Sequence, residues 1–219
     1  AKNIDWKEFD CVYVVEATGA YLTEEKCKAH NCDYVIMSAP PKDNTKTFIY
    51  SVNDEIYDGE KIISGSSCTT NAISPLLKLL EDEIGIKRCI FTTIHATTGS
   101  QNTVDIMKKC RTSRSILNNI IPHTTGASKS IIDVIPVLEN KIHGTSLRVP
   151  VVNCSLVDIN IELSDNSSMT LEDIKELIEK SPFYKKSLDI SEKKLVSCDF
   201  ITTTVPCILD LNASMKIED

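Results

Sequence analysis

Residues 66–71 place one thiol among hydroxyl and amide side chains. Cys68 follows Ser67 and precedes the polar run 69–71, a setting that is unusual in a core and typical of a site that binds an oxyanion. The thiolate of cysteine is its nucleophilic form, and it adds to substrates to form covalent intermediates. The alternative is an inert, buried cysteine, as most free cysteines are. The polar neighbours favour the nucleophile.

A cysteine nucleophile needs a base, and histidine is the side chain that most often provides one near neutral pH. His95 ends an apolar and threonine-rich segment, residues 91–94, and is followed by Ala96 and two threonines. This position makes it the candidate base for Cys68. A histidine at a strand end is otherwise more often a hydrogen-bonded structural residue, and that alternative stays open.

The two side chains require elements that bring them together. Residues 61–64 predict a strand, and the apolar positions that follow recur at helical spacing, which predicts a helix over about 69–84. Gly85 ends this helix, and residues 87–93 predict the next strand. If helix and strand are antiparallel neighbours, Cys68 meets His95. The unpaired N–H groups and the positive end of the helix dipole at Cys68 would favour its thiolate. The apolar stripe consists of Ile73, Leu76, Leu77, Leu80 and Ile84.

The motif S-C-T-T-N at 67–71, followed by T-T-I-H-A at 92–96, resembles glyceraldehyde-3-phosphate dehydrogenase. Further segments agree with that family in the same order, from about Asn3 to the end of the chain. These segments are V-E-A-T-G at 15–19, S-A-P at 38–40, Q-N-T-V-D at 101–105, N-I-I-P at 119–122, T-T-G-A at 124–127, R-V-P at 148–150 and S-C-D-F at 197–200.

The resemblance implies a role for each matched residue. Cys68 is implied as the nucleophile and His95 as the base. Thr98 and Arg148 are implied as ligands of the substrate's phosphate, where an arginine offers a bidentate fork; for Arg148 the alternative is a surface salt bridge. The residues implied for inorganic phosphate are Ser67, Thr69, Thr125 and Gly126. Those implied for the cofactor NAD are Thr18, Gly19 and Ser38. No metal is implied.

The order of predicted elements indicates an α/β fold followed by an α+β fold. Residues 1–67 resemble the second half of a Rossmann-type, NAD-binding domain with a parallel sheet. Residues 68–219 resemble a catalytic domain with a mostly antiparallel sheet and flanking helices. The seven glycines form no G-x-G, so the dinucleotide fingerprint is missing. The family carries it in a segment that would precede Ala1, and the family's closing segment would follow Asp219. The sequence is either an incomplete record or a naturally short chain; we expect the first, because residues 12–37 would otherwise form an unfinished sheet with an exposed edge.

Shorter patterns give further predictions about local structure. They are strands at 12–16, 34–37, 48–52, 62–64, 195–197 and 204–209, short helices at 23–30 and 124–134, a turn at His143-Gly144, a strand at 152–163 with a bulge near Val157-Asp158, and a helix from Thr170 to about Lys180 that opens with a capping box. The carboxyl ends of the first strands are the expected ligand-binding edge of a doubly wound sheet.

Composition narrows the class of protein. The chain has 219 residues, is 42% hydrophobic and carries a formal net charge of −7, which is typical of a globular protein and argues against nucleic acid as the main partner. No apolar run approaches the roughly twenty residues needed to span a bilayer, so we expect no membrane association. The nine cysteines include no C-x-x-C pair, which argues against zinc. Scattered cysteines in strands, such as Cys89 and Cys154, indicate reduced thiols and a cytoplasmic protein.

The resemblance implies phosphorylating oxidation of glyceraldehyde 3-phosphate to 1,3-bisphosphoglycerate in glycolysis, through a Cys68 thioester. Two alternatives are a dehydrogenase of a related aldehyde such as erythrose 4-phosphate, and a catalytically degenerate paralogue that acts as a binding protein. In the family the irregular stretch 97–122 reaches a neighbouring subunit, which implies a homotetramer. Residues 106–114 depart from the family pattern. Their basic side chains, either a solvated face or a phosphate-attracting cluster, are Lys108, Lys109, Arg111 and Arg114.

Overall fold

The structure is a computed structural model that describes residues 3–108, 110–164 and 169–217. Within these ranges the chain forms three β-sheets and four α-helices. A parallel sheet precedes a larger mixed sheet with helices, so the predicted combination of α/β and α+β is confirmed. No helix in the described ranges has both the length and the apolar character needed to cross a bilayer.

The first sheet is parallel and has three strands. Its strands β1 (Tyr13–Glu16), β2 (Tyr34–Met37) and β3 (Ile62–Ser64) lie in sequence order. The helix between β1 and β2, α1 (Glu24–Cys27), begins at Thr23, whose hydroxyl accepts the Lys26 N–H. Because all three strands run the same way, their carboxyl ends meet at one edge of the sheet.

The second sheet holds the longest strands, in the order β5-β6-β4-β7. The strand β4 (Ile86–His95) is central: it pairs parallel with β6 (Ile142–Arg148) and antiparallel with β7 (Leu156–Leu163). The short β5 (Ile121–His123) adds an antiparallel edge next to β6. Two of the three pairings are therefore antiparallel, in agreement with the predicted mostly antiparallel sheet.

Helices cover one face of this sheet and form the main core. The helix α2 (Cys68–Glu83) and the shorter α3 (Ala127–Val134) pack together on it. Beyond β7 the chain forms α4 (Leu171–Lys180) and a two-stranded parallel sheet of β8 (Leu188–Ser191) and β9 (Cys207–Asp210), which joins the same core. The capping box predicted for α4 is confirmed: the Thr170 and Asp173 side chains bind each other's N–H groups.

The helix α2 confirms the predicted apolar stripe and lies within one residue of the predicted bounds. Ile73, Leu76, Leu77 and Leu80 are all at least 93% buried against the sheet. Polar side chains occupy its first turn instead. The amphipathic pattern thus determines which face of α2 packs on β4, and it leaves Cys68, the first residue of the helix, outside the core.

The strand predicted at 48–52 is wrong. Only Thr47 forms a bridge, with Ser64, and the chain then turns. The Asn53 side chain accepts the Ile49 N–H at 2.8 Å, and Ser51 adopts the left-handed conformation with φ of 64°. An asparagine that binds a nearby backbone N–H competes with sheet pairing, which explains why apolar residues at this point form a tight turn.

The turn predicted at His143-Gly144 is also wrong. Both residues lie inside β6, where His143 pairs with Ile90 and Gly144 with Phe91. A Cβ atom on Gly144 would lie only 2.2 Å from Cζ of the Phe91 ring. A glycine is needed here because the Phe91 ring fills the space that a Cβ atom would occupy. The sequence pattern does not show this contact between strands.

Other differences concern the long strand and the C-terminal segment. Pairing along β7 starts at Leu156 instead of 152, and the irregularity lies at the far end, between Ile86 and Arg88 of β4, instead of at Val157-Asp158. The strand predicted at 195–197 is replaced by a 3-10 helix, Ser197–Phe200, since the Asp199 carboxylate accepts the Val196 N–H at 2.8 Å. The strands predicted at 34–37 and 62–64 occur with the predicted bounds. Other predicted elements have shifted ends: β9 starts at Cys207, α1 stops at Cys27 and α3 starts at Ala127, whereas β8 was not predicted.

Gly144→Ala is expected to destabilise the fold by about 1–3 kcal/mol, because the added methyl group forces the buried Phe91 ring to move. The midpoint of urea unfolding measures the effect. Gly99→Ala is the matched control, since a Cβ atom there meets nothing within 4 Å. Equal midpoints for the two variants would show that the ring yields without cost.

A buried polar network supports the carboxyl end of β1. Glu16 is 3% exposed and its Oε2 lies 2.9 Å from Nε2 of His30, which is 8% exposed. The indole N–H of Trp6 donates to His30 Nδ1 at 3.3 Å, and the Thr18 N–H donates to Glu16 at 2.7 Å. Burial alone would raise the pKa of Glu16, but the hydrogen bonds from Thr18 and the contact with His30 hold that pKa below its usual value.

The Glu16 carboxylate is expected to contribute stability that acid removes. Because its folded-state pKa is lowered, the contribution is complete above the unfolded value of about 4.3 and is lost as the pH falls through the folded value. Glu16→Gln should therefore lower the free energy of unfolding by about 1.5–3 kcal/mol at pH 7. Urea unfolding at several pH values should show the difference shrinking below pH 4. The exposed Glu55→Gln is the control, and a difference that persists undiminished at pH 3 would refute the linkage.

Candidate active site

An open cleft of about 850 Å³ lies where the parallel sheet meets α2. The carboxyl ends of β1, β2 and β3 form one wall, and Ser38 follows β2 there. Cys68 is exposed at its floor, and Asn153 and Phe200 come from the other side. The expectation that the carboxyl edge of the first sheet adjoins a cleft agrees with this geometry.

A strained turn places Cys68 at the start of the helix. Ser66 has φ of 61°, a conformation that costs roughly 1–2 kcal/mol for a residue with a side chain. Its N–H donates to Ser64 Oγ at 2.9 Å, and the Asn71 side-chain amide donates to the carbonyl oxygens of Gly65 at 2.8 Å and Ser67 at 2.9 Å. These bonds hold the turn closed so that the Cys68 side chain lies in the cleft.

Hydroxyl groups then cap the helix around the thiol. The Ser67 Oγ accepts the Thr70 N–H at 3.1 Å and is the N-cap of α2. It also bonds the hydroxyls of Thr70 at 2.7 Å and Thr69 at 3.1 Å. Cys68 is consequently the first helical residue, where N–H groups lack intrahelical partners and favour negative charge. Ser67 and Thr69, implied for inorganic phosphate, lie on either side of it.

His95 ends β4 directly opposite the thiol. Its Nε2 lies 3.4 Å from Cys68 Sγ, and its Nδ1 lies 2.7 Å from the Ala96 carbonyl oxygen. The Ala96 N–H in turn donates to Ser155 Oγ at 3.1 Å, which fixes the backbone beside the ring. The antiparallel return of β4 along α2 therefore brings together the two residues that the sequence paired.

The surroundings of His95 disfavour its protonated form. Burial lowers the pKa of His95 below its usual value, and the positive charge of Arg148 and the nearby His123 act in the same direction. The hydrogen bond with the Ala96 carbonyl opposes them but does not outweigh them. A neutral imidazole is the form that can accept a proton, so the site holds a base next to a thiol.

Arg148 ends β6 next to His95, its register partner on β4. Its Nη1 lies 2.6 Å from His95 Nδ1 and donates to the Ala96 carbonyl at 3.2 Å. Among the described residues no salt bridge includes Arg148, and its buried Nε has no hydrogen-bond partner. Burial lowers the pKa of this guanidinium. The surface salt bridge considered from the sequence is absent within the described ranges, and a partly buried cation without a carboxylate suits an anionic ligand.

The other implied phosphate ligands lie on two segments. Thr125 and Gly126 precede α3, and the Thr125 hydroxyl accepts the Ala127 N–H at 3.1 Å. The helix α3 packs on α2, the helix that Ser67 caps. Thr98 lies in an exposed loop three residues after His95, and its hydroxyl bonds the Gln101 side chain at 3.0 Å instead of Arg148.

The residues implied for the cofactor do not all face the cleft. Ser38 lines it, and its N–H donates to the Glu16 carbonyl at 2.9 Å. Thr18 and Gly19 follow the neighbouring strand, but the Thr18 hydroxyl donates to the Glu16 carboxylate and neither residue lines the cleft. Gly19 has φ of 73°, a left-handed conformation that glycine adopts without a steric cost.

The basic segment 106–114 is folded onto its own loop. Arg114 pairs with Asp105 at 3.0 Å, and Lys108 donates to the Asn102 side chain at 3.3 Å. Both are exposed, which favours the solvated face over a phosphate-attracting cluster. Lys109 lies outside the described residues.

Sequence reasoning missed three features of the site. It gave no role to the strained Ser66 or to the Ala96 carbonyl, and it placed Cys154 in a strand. Cys154 instead lines the cleft with φ of 64°, and its N–H donates to Asn153 Oδ1 at 2.8 Å. An asparagine before the cysteine was the available signal, because asparagine side chains commonly close such turns.

Comparison with known proteins agrees with the motifs. Residues 67–219, more than half of the chain, match the family model described as glyceraldehyde 3-phosphate dehydrogenase, C-terminal domain. The chain belongs to the glyceraldehyde-3-phosphate dehydrogenase family. That family consists of oxidoreductases, and the matched span begins at the cap of α2 and includes Cys68, His95 and Arg148.

Curated glyceraldehyde-3-phosphate dehydrogenases are similar over the whole chain. The Bacteroides fragilis enzyme is 41% identical over 99% of this chain, and glyceraldehyde-3-phosphate dehydrogenase 2 of Bacillus subtilis is 39% identical over 100%. The cytosolic enzyme of Leishmania mexicana is 38% identical over 99%. The chain spans 66% of the length of the first two relatives and 67% of the third.

Cys68 is expected to be alkylated by iodoacetamide faster than any other cysteine near pH 7, because it combines exposure, a helix start and a contact with a base. Peptide mapping by mass spectrometry measures the rates. Cys198 is a control of similar exposure, and Cys89 is a buried control because burial raises its pKa to about 12. His95→Asn should slow Cys68 toward the rate of Cys198. Equal rates for Cys68 and Cys198 in the unmodified chain would contradict the assignment.

Proposed function

We propose that this chain carries the catalytic centre for the NAD-dependent, phosphorylating oxidation of glyceraldehyde 3-phosphate to 1,3-bisphosphoglycerate, a step of glycolysis. The observation that carries the proposal is the 3.4 Å contact between His95 Nε2 and the Sγ of Cys68, which lines the cleft. The family membership supports the reaction, and the arrangement of Cys68, His95 and Arg148 supports each chemical role.

Cys68 would attack the aldehyde carbon and form a hemithioacetal. His95 accepts the thiol proton at Nε2, returns it to the oxyanion as the hemithioacetal forms, and takes it again as hydride leaves that carbon and the oxygen becomes a carbonyl. Oxidation leaves a thioester on Cys68. Attack of inorganic phosphate on the thioester carbon breaks the C–S bond, releases the acyl phosphate and returns the thiolate.

Two groups of residues would hold the two phosphates. Arg148 is a half-buried cation with no carboxylate partner among the described residues, and this supports its assignment to the phosphate of the substrate, together with Thr98. The residues assigned to the attacking inorganic phosphate are Ser67, Thr69, Thr125 and Gly126. Their hydroxyl and N–H groups lie at the starts of two helices, a setting that stabilises anions.

The cleft fits part of a dinucleotide. Ser38 and the ends of β1 and β2 offer it a mostly apolar wall, with Thr18 and Gly19 on the adjacent turn. The sequence of 219 residues contains no G-x-G motif, the turn that holds the pyrophosphate of a dinucleotide. NAD supplies the hydride acceptor for the oxidation when it is bound. We infer that residues 1–67 serve the cofactor and residues 68–219 the chemistry.

Location and assembly are proposed on similar grounds. The relative from Leishmania mexicana is named cytosolic, which supports a cytoplasmic location. A homotetramer is supported by the family and by apolar side chains on the face of the second sheet that the helices leave open: Ile90 is 60% exposed and Leu156 is 53% exposed. Exposed apolar side chains on a sheet face are typical of subunit contacts.

The 219-residue chain is expected to bind NAD weakly or not at all in calorimetry, since the glycine-rich turn is not part of it. The same sample should release a stoichiometric burst from an activated ester, because acylation needs only Cys68 and its hydrogen-bond donors. Inorganic phosphate should then accelerate deacylation. Cys68→Ala is the control that abolishes the burst. Micromolar NAD binding would contradict the expectation that the dinucleotide needs the glycine-rich turn. A folded chain without a burst would support the alternative of a binding protein.

Protection of Cys68 against iodoacetamide distinguishes the two aldehyde substrates without the cofactor. Both aldehydes should form a hemithioacetal with Cys68 and thereby protect it. Glyceraldehyde 3-phosphate, the proposed substrate, should give half-maximal protection at a lower concentration than erythrose 4-phosphate. The reverse order would favour the erythrose-4-phosphate alternative. Free phosphate at equal concentration is the control for simple anion binding.

A further inference from the structure

Two cysteines lie just before the first two strands, at matching positions. The parallel register pairs Tyr13 of β1 with Tyr34 of β2. Cys11 precedes the first of these residues by two positions, and Cys32 precedes the second by two. The Tyr34 N–H donates to the Val12 carbonyl at 3.0 Å, so the hydrogen bonds between the strands reach the residue next to Cys11. Because neighbouring strands lie about 4.8 Å apart, we expect the backbones of the two cysteines to be adjacent.

The surroundings of the two thiols agree with this placement. Both thiols are free and half-buried, so small reagents can reach them. Burial raises the pKa of Cys32, and Asp33 and Cys11 act in the same direction, which requires Cys11 to lie nearby. A disulfide joins residues whose Cα atoms are about 4.4–6.8 Å apart, and the spacing of neighbouring strands falls in this range.

Backbone hydrogen bonds connect each cysteine to the polar network next to the parallel sheet. The Cys11 N–H donates to the Trp6 carbonyl at 3.1 Å, and the Cys32 N–H donates to the His30 carbonyl at 2.9 Å. The indole N–H of Trp6 donates to the His30 ring at 3.3 Å. A covalent link between the two cysteines would therefore hold residues 6–11 against the turn that precedes β2.

Cys27 is the competing partner for Cys32, since Cys32 packs against the small core that contains Cys27. The Cys27 side chain is fully buried, and its thiol donates to the Tyr21 carbonyl at 3.4 Å. Burial also raises the pKa of Cys27. A buried thiol that stays protonated reacts slowly in disulfide formation, because the thiolate is the attacking form. These observations favour Cys11 as the partner.

We propose that Cys11 and Cys32 form a reversible thiol–disulfide site at the start of the parallel sheet. The oxidant is a peroxide or glutathione disulfide. Reversibility suits a compartment rich in glutathione, which reduces the bond again. The site is independent of the proposed function, since neither thiol takes part in the chemistry at Cys68.

The oxidation balances with hydrogen peroxide as follows. Cys32 S–H donates to the Tyr34 carbonyl at 3.2 Å, so we expect Cys11 to react first. Its thiolate attacks one peroxide oxygen, the O–O bond breaks, and the hydroxide that leaves takes up the thiol proton as water. The Cys32 sulfur then attacks the sulfenic sulfur of Cys11, the S–S bond forms, and a second water leaves. Two electrons pass from the two sulfurs to the peroxide.

Peptide mapping without reduction tests the link in the full chain. The Cys68→Ser variant removes the thiol of the candidate active site, and the sample is equilibrated with reduced and oxidised glutathione. Trypsin separates the three cysteines of this region, since peptides 8–26, 27–28 and 29–42 hold Cys11, Cys27 and Cys32 in that order. A disulfide between peptides 8–26 and 29–42 should form, and dithiothreitol should release it. The exposed Cys110 is the control and should carry glutathione instead.

The link should also change the unfolding of the segment that contains Trp6, the single tryptophan of the chain. A disulfide that closes a loop of this length should lower the unfolding equilibrium constant by about a hundredfold, because it restricts the unfolded chain. Urea unfolding followed by Trp6 fluorescence compares the oxidised and reduced samples. Cys11→Ser and Cys32→Ser are the matched controls, and oxidation should produce no such fall in either variant.

Three outcomes would overturn the proposal. The first is glutathione on both Cys11 and Cys32 without a link between them. The second is a disulfide between peptides 27–28 and 29–42, which would make Cys27 the partner. The third is a linked chain that unfolds with the same equilibrium constant as the reduced one. None of these measurements uses NAD, an aldehyde or turnover, so the proposed function can fail while the disulfide site stands, and the reverse.

Discussion

Gly85 reverses the chain between α2 and β4, with φ of 85° and its N–H bonded to the Leu80 carbonyl at 2.9 Å. From this point the strand runs back along the helix. The 16 residues of α2 extend about 24 Å and the 10 residues of β4 about 33 Å. The strand is thus long enough to return past the whole helix, and His95 at its end reaches Cys68 at the start of α2.

The position of Arg148 follows from the same strand. Because β6 pairs parallel with β4 in a register that sets Arg148 beside His95, both residues leave the sheet at one edge. A register shift of one residue would turn the arginine to the other face of the sheet. Gly144 contributes to this register, since the Phe91 ring occupies the space where any other residue would place its Cβ.

Two polar clusters in this protein differ in how well their hydrogen bonds are satisfied. His30 links Trp6 and Glu16 through hydrogen bonds at its two ring nitrogens, in a network next to the parallel sheet. Around Cys68 and His95, Arg148 Nε and Ser66 Oγ are buried and have no partner in the described part of the chain. Unsatisfied buried polar groups reduce stability unless a ligand binds them. The first cluster therefore satisfies its own hydrogen bonds, whereas the second leaves polar atoms without protein partners among the described residues.

Local patterns in the sequence determined α2, β1, β2, the capping box of α4 and the pairing of Cys68 with His95, since helical spacing, capping residues and a glycine stop act within a few residues. The motifs also determined the family. The turns at 48–52 and at Cys154 are closed by Asn53 and Asn153, local signals that the sequence contained. Tertiary structure alone decided that Gly144 lies in a strand, because Phe91 on the neighbouring strand fills the space of a Cβ atom there. It also decided the contact of Arg148 with His95, since residues 53 positions apart become neighbours only through the pairing of β4 with β6.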